Sequence, residues 1–133
     1  MFSGSTITDT QKTLDFTKLS RQASSVFQNC ASLKTIRTLT VNETNTFASW
    51  FTGCTNLTNI SFSGTIGNSI DFVSSNLLTN DSMSSIINAL MTITDGVART
   101  LTLHPDVKAK LTDAQKTIIT AKAENGGKGW TLA

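Results

Sequence analysis

The sequence predicts one α/β domain wound as a solenoid, residues 1–133, with short strands joined by tight turns and short helices. Two stretches carry that expectation: Phe27-Gln-Asn-Cys30-Ala-Ser-Leu33-Lys-Thr-Ile36 and Phe51-Thr-Gly-Cys54-Thr-Asn-Leu57-Thr-Asn-Ile60. Phe, Cys, Leu and Ile recur in the same order, each displaced by 24 residues. A fixed period of about 20 to 50 residues marks chains in which each turn buries its apolar face on its neighbours. Composition is the second observation. Charged residues make up 15% of the chain, against a usual share of about 25%. Hydroxyls take their place, with 23 Thr and 15 Ser among 133 residues. Thr suits pleated, half-buried surfaces, and both residues serve turns. The length suffices to bury a core.

The elements follow in order. Residues 13–19 (Thr-Leu-Asp-Phe-Thr-Lys-Leu) alternate apolar and polar, the mark of a half-buried strand. Residues 24–30 predict a short helical or 3₁₀ turn leading to Leu33. A second strand is expected over 35–41, with Ile36 inward and a bulge or turn before Leu39. Asn42-Glu-Thr-Asn45 is a turn by composition. Phe47, Trp50 and Phe51 lie at i, i+3 and i+4, which predicts a short helix over 46–51. A third strand covers 59–63, with Ile60 and Phe62 on one face. Gly64 and Gly67 then permit tight turns.

Beyond residue 77 the pattern becomes more helical. Asn80 and Asp81 are candidate N-caps for an amphipathic helix bearing Met83, Ile86, Ile87 and Leu90, ended by Thr94-Asp-Gly96. Arg99-Thr-Leu-Thr-Leu103 reads as a strand stopped by Pro105. Thr112-Asp-Ala-Gln115 has the form of a capping box, opening a helix with the stripe Ala114, Ile118 and Ala121. Gly126-Gly127 end it, and Gly129-Trp-Thr-Leu132 reads as a last strand. Residues 104–133 are expected to cap the array, since terminal units must cover the open core. Met1-Phe2-Ser-Gly4 reads instead as the tail of a repeat. The chain is therefore expected to be the C-terminal part of a longer repeat protein.

Composition also narrows the partners. The net charge is +2 and the basic residues are scattered, so nucleic-acid binding has no electrostatic footprint. No apolar run reaches the 18 or so residues that span a bilayer, so no membrane insertion is expected. The opening residues lack a secretory-signal profile. Cys30 and Cys54 occupy equivalent sites on adjacent turns. Strand spacing permits a disulfide between them, while the burial habit of free Cys favours a pair of buried thiols.

The two matched stretches, with Met1-Phe2-Ser-Gly4 before them, resemble the BspA-like leucine-rich repeat family of bacteria. Its repeats run aromatic, Gly or Asn, Cys, two small polar residues, Leu, two more, then Ile or Leu. The likeness is specific over residues 24–63 and weaker over 77–133, and Ser5 stands where the pattern has Cys. The resemblance implies short strands stacked into one parallel sheet, with helices or 3₁₀ turns on the opposite side. It also implies surface display or secretion, with relatives in phages, and a role in adhesion or protein recognition without a general chemistry.

No catalytic, metal-binding or cofactor site is expected. His104, the single histidine, has no Cys or carboxylate at ligand spacing, and a catalytic or zinc role needs convergent partners. It reads as a strand-end residue. No nucleophile elbow and no phosphate loop is present. Trp50 and Trp130 are either recognition anchors or core. A binding face, if there is one, is expected on the solvent side of the strands. It would comprise Thr35, Arg37, Ser61, Ser63, Thr100, Thr102 and Thr131, which alternate with inward Ile36, Ile60, Phe62, Leu101, Leu103 and Leu132. That surface suits a protein or glycan ligand held by hydrogen bonds. The first expectation is a non-enzymatic recognition module; the alternative is a structural spacer or cap. Apolar residues and unpaired backbone at the N-terminal edge predict a homo-oligomer through residues 1–27.

Overall fold

The computed structural model describes residues 1–18 and 23–133. Strands β1 (Asp9–Asp15), β2 (Thr35–Val41) and β3 (Asn59–Gly64) form one parallel sheet in that order. Strands β4 (Ile70–Phe72), β5 (Thr100–Leu103) and β6 (Thr131–Leu132) form a second parallel sheet. Helices α1 (Asn80–Ala89), α2 (Pro105–Lys110) and α3 (Asp113–Thr120) complete the fold, with a 3₁₀ turn at Ala123–Asn125. The protein is thus mixed α/β with two small parallel sheets. The single sheet implied by the family resemblance is not what forms.

β2 and β3 fall where the alternation sets them, with Ile36, Leu39, Ile60 and Phe62 buried. Register slips between Ile36 and Leu39 against β3, the bulge expected before Leu39. β1 begins four residues earlier than its alternation predicts, because it is placed by pairing: Asp9 lies opposite Thr35 and Thr10 opposite Ile36. The buried Thr10 hydroxyl accepts the Arg37 amide at 3.0 Å, inside the stretch where β1 and β2 lose register. Leu19, which closes the strand expected over 13–19, lies outside the described residues.

The short turn expected over 24–30 forms, with the Gln28 amide bonded to the Ser25 carbonyl and the Cys30 amide to Phe27, but the helix expected over 46–51 does not. Ser25 and Ser49 take left-handed backbone (φ 58° and 57°) at equivalent places, and a right-handed helix cannot pass through such residues. The amides there bond sideways to the next turn instead. Ser25, Phe27 and Asn29 donate to the carbonyls of Ala48, Trp50 and Thr52, and Phe2 and Gly4 donate in the same way to Val26 and Gln28. Phe47, Trp50 and Phe51 are still buried, so the i, i+3, i+4 pattern marked core without marking helix.

A column of aromatic rings runs through these turns. Phe2 stacks on Phe27 at 5.5 Å, Phe27 on Phe51 at 5.9 Å, and Phe51 on Phe72 at 4.5 Å. In each case the amide three residues on, at Ser5, Cys30, Cys54 and Ser75, donates back to the Phe carbonyl. Phe72-Val-Ser-Ser75 is therefore a fourth unit whose sequence pattern the Cys-to-Ser change conceals. Trp50 packs beside the column, 5.0 Å from both Phe16 and Phe47. Its indole N–H donates to the Ala23 carbonyl, and that of Trp130 to Met91 at 2.8 Å. Both tryptophans are core, not exposed anchors.

Helix α1 lies along the edge of β3, where a fourth strand would pair. Ser82 Oγ accepts the Ile60 amide at 2.9 Å and donates to the Thr58 carbonyl at 2.9 Å, while Ser85 Oγ accepts the Phe62 amide at 2.8 Å. Two serines one turn apart on a helix thus occupy the hydrogen-bonding edge of a strand, a way of covering a sheet edge. Met83, Ile86 and Ile87 face the core, as does Leu90 at the C-cap. The N-cap is Thr79, whose hydroxyl accepts the Ser82 amide; Asn80 and Asp81 follow it within the first turn. The helix ends at Ala89, five residues before Thr94, because the Leu90 backbone turns extended.

Pro105 opens a helix instead of merely stopping a strand. Proline tolerates the first helical position, where its missing amide has no partner to lose, and α2 follows β5 directly. The capping box at Thr112 and Gln115 is present, but α3 buries Ile119 and leaves Ile118 41% exposed. The Ala114-Ile118-Ala121 stripe was one residue out of register with the core.

Two mutations test this account. Ser82→Ala strands the Ile60 amide in a buried site and is expected to cost about 1–3 kcal/mol, read as a lower urea midpoint. Phe51→Ala removes a ring held between two others and should cost about 3–5 kcal/mol, whereas Thr52→Ala, at an exposed neighbour, should be close to neutral.

Candidate functional site

The split into two sheets divides the expected binding face. Thr35, Arg37 and Ser61 line one cleft of about 390 Å³ together with Asn59, Asp81, Ser82 and Ser85. Thr100 and Thr102 line a separate one of about 240 Å³ with Ser49, Ser69 and Asp71. Ser63 is exposed near the end of β3, and Thr131 is exposed on β6. The seven residues are thus spread over strands of both sheets.

The first cleft is built where β2, β3 and the first turn of α1 meet. Alternation along the strands turns Arg37 and Ser61 outward, while Ile36 and Ile60 hold the opposite face in the core. One wall is fixed by a chain of hydrogen bonds. Ser82 donates to the Thr58 carbonyl, and the Thr79 hydroxyl lies 3.0 Å from Ser82 Oγ and 3.5 Å from Asn59 Oδ1. Asn59 donates to Thr58 Oγ1 at 3.1 Å. The remaining groups are available: the Arg37 guanidinium, the Ser61 hydroxyl and the Asp81 carboxylate have no side-chain partner among the described residues. A planar cationic donor, a hydroxyl and an acceptor carboxylate thus sit around one cleft. The sequence identified Arg37, Ser61 and Thr35; it missed Asp81 and Ser85, which a helix brings to the strand edge.

The second cleft is less open to a ligand. Ser69 Oγ accepts the Thr100 amide at 2.9 Å, and Asp71 accepts the Val73 amide at 2.7 Å. A third hollow, of about 380 Å³, lies between Ile93, Val97, Lys122 and Gly129. The loop beside it is pinned by Arg99, which bridges both Asp95 carboxylate oxygens at 2.9 and 2.8 Å. That contact, with the Val97 amide, holds the Asp95 carboxyl well below the usual carboxylate range.

His104 is the N-cap of α2. Its Nδ1 accepts the Asp106 amide at 3.2 Å, so the ring follows strand β5 and starts a helix. Among the described residues no three His, Cys, Asp or Glu side chains gather as a metal site requires. No helix among them is long and apolar enough to cross a membrane.

Both cysteines are free and buried. Cys30 Sγ donates to the Phe2 carbonyl at 2.7 Å, and Cys54 Sγ donates to Phe27 at 3.1 Å, so each thiol ties its turn to the one before. Burial pushes the Cys54 thiol up to about 12, and the neighbouring Cys30 adds to the rise. Thiolate is the reactive form, which protects Cys54, and Cys30 is fully buried, so iodoacetamide at about pH 8 is expected to modify neither cysteine in the folded protein and both in urea. Mass spectrometry of the alkylated protein reads the difference, and a folded sample labelled at Cys54 would contradict it.

No family model matches this chain, and comparisons with curated proteins and with solved structures find no match either.

Proposed function

We propose that this chain is a non-enzymatic recognition module, built as a leucine-rich-repeat solenoid, that binds a protein or glycan through the cleft beside Arg37. One observation carries the reading. Arg37, Ser61 and Asp81 converge on a single cleft with their side-chain hydrogen-bonding groups unspent, on a wall that Ser82 and Thr79 hold rigid. Such a set presents donors and an acceptor around one recess with little net charge, which suits a neutral polar ligand. No cofactor enters the proposal.

The solenoid part is supported by recurrence: the Phe column and the thiol-to-carbonyl bonds repeat at intervals near 24 residues. With the resemblance to BspA-like proteins goes display at a bacterial or phage surface, or secretion, as part of a longer adhesion-type protein. The alternative, a structural spacer, draws on the same column, because four stacked rings and two buried tryptophans make a stiff body.

The test is a glycan array and a panel of extracellular-matrix proteins probed with wild type, Arg37→Ala and Ser61→Ala. A ligand held in the cleft should bind the Arg37→Ala protein about tenfold or more weakly, with an unchanged urea midpoint, because Arg37 is exposed. Ligand binding untouched by both substitutions would move the site elsewhere. No ligand at all would favour the spacer, and turnover in a hydrolase screen would overturn the non-enzymatic reading.

A further inference from the structure

The N-terminal edge of the first sheet is the one place where the recurring unit stops without a neighbour among the described residues. β1 is an edge strand, and beside it lies an apolar hollow of about 230 Å³ lined by Phe2, Ile7, Asp9, Thr10, Gln11, Lys12 and Leu14. Phe2 has Phe27 on one ring face and is only half-buried. Asp9 Oδ1 is buried without a hydrogen-bond partner among the described residues. At the opposite side of the same sheet, α1 covers the β3 edge.

We propose that this edge is a docking site for an extended segment of the chain's own recurring type, added parallel to β1 with an aromatic residue on Phe2. What each turn already does to its neighbour defines the occupant. The amides of Lys34 and Thr35 donate to the Thr8 carbonyl, and those of Thr58 and Asn59 donate to the Lys34 carbonyl. By that equivalence the amides of Thr8 and Asp9 face the occupant and need a carbonyl from it. The carbonyls of Val26 and Gln28 accept the amides of Phe2 and Gly4, so those of Met1 and Ser3 are placed to accept the occupant's amides. Cys30 and Cys54 donate to the Phe carbonyl one turn earlier, and Ser5 stands at their position with its hydroxyl proton unspent. The matching segment is therefore aromatic, then Gly or Asn two residues on, then a strand about eight residues on, in the manner of residues 24–42. Every strand pair among the described residues is parallel. A second intact copy offers β1 either itself, about a two-fold axis and so antiparallel, or the short edges of the second sheet, three-residue β4 and two-residue β6. Main-chain bonds with side-chain pockets at alternate positions are the general mode of strand addition. The proposal does not depend on the Arg37 cleft.

The probe is a fluorescein-labelled peptide of residues 24–42 carrying Cys30→Ser, titrated with the intact protein and followed by anisotropy. Saturable binding is expected. It should weaken about tenfold or more when the peptide carries Phe27→Ala or the protein carries Phe2→Glu, from the loss of a buried, stacked ring. Thr8→Pro, at an exposed residue, deletes an outward amide and should weaken binding without a change in urea midpoint; it keeps the test decisive if Phe2→Glu fails to fold. Thr52→Ala, at an exposed residue away from this edge, should bind as wild type. Absence of saturable binding, or binding indifferent to both edge variants, overturns the proposal. So does a dimer of the protein alone, seen by light scattering and dissolved by Phe2→Glu, which would assign the edge to a second copy.

Discussion

Side chains in this protein donate backwards. Asn42 and Asn45 donate to the carbonyls of Thr17 and Phe16, Asn56 to Ala31, Thr58 to Lys34, and Asn68 to Glu43 and Asn45. Cys30, Cys54, Ser75 and Ser82 do the same to Phe2, Phe27, Cys54 and Thr58. Every one of these bonds joins a residue to backbone one turn earlier. Turns that change direction this often leave carbonyls that no strand or helix can satisfy, and a buried unpaired carbonyl costs as much as a lost hydrogen bond. The chain answers with neutral donors. An amide, hydroxyl or thiol can enter the interior with one partner, whereas an ammonium would need its charge compensated as well. The shortage of charge and the excess of Ser and Thr in the composition are the same constraint seen from the sequence.

The aromatic column rests on that arrangement. Ring stacking between Phe2, Phe27, Phe51 and Phe72 requires each turn to sit at one height above the last. The sideways amide bonds set that height, and left-handed residues make the turn beside the first three rings. Gly4, Asn29 and Gly53 hold the same left-handed place in successive units. Asn is the residue besides Gly that tolerates it best, which explains why the position alternates between those two types. Stacked pairs add about 0.5–1.5 kcal/mol each beyond the area they bury, so the column reinforces a spacing that backbone bonding already defines.

The period was legible because four residue types recur together, and legibility failed where one of them changed. Phe72-Val-Ser-Ser75 keeps the ring and the amide bond but exchanges Cys for Ser and follows Phe51 by 21 residues instead of 24, so the fourth unit falls out of the visible period. Phe47, Trp50 and Phe51 have helical spacing, yet spacing reports which side chains go inward and not the sign of φ at Ser49. Pro105 carries two meanings, the end of a strand and the first residue of a helix, and only the immediate junction of β5 with α2 separates them. In the cleft, Arg37 and Ser61 follow from strand alternation alone. Asp81 and Ser85 do not, because a period of two on a strand says nothing about which helix will be laid along its edge.

The two edges of the first sheet are treated differently. At β3 the edge amides are consumed by Ser82 and Ser85, and the same helix supplies Asp81 to the cleft that Arg37 enters. Closing the sheet and shaping a polar recess are therefore one structural act. At β1 the edge keeps its backbone groups, an apolar hollow and an unpartnered carboxylate oxygen. Charge on Lys12 and Asp15 makes that edge a poor template for indiscriminate pairing, so whatever joins it must match the ring at Phe2 and the slipped register between Thr10 and Thr13. In the two proposals, the closed edge frames the recess that takes a ligand, and the β1 edge takes a segment of the recurring pattern.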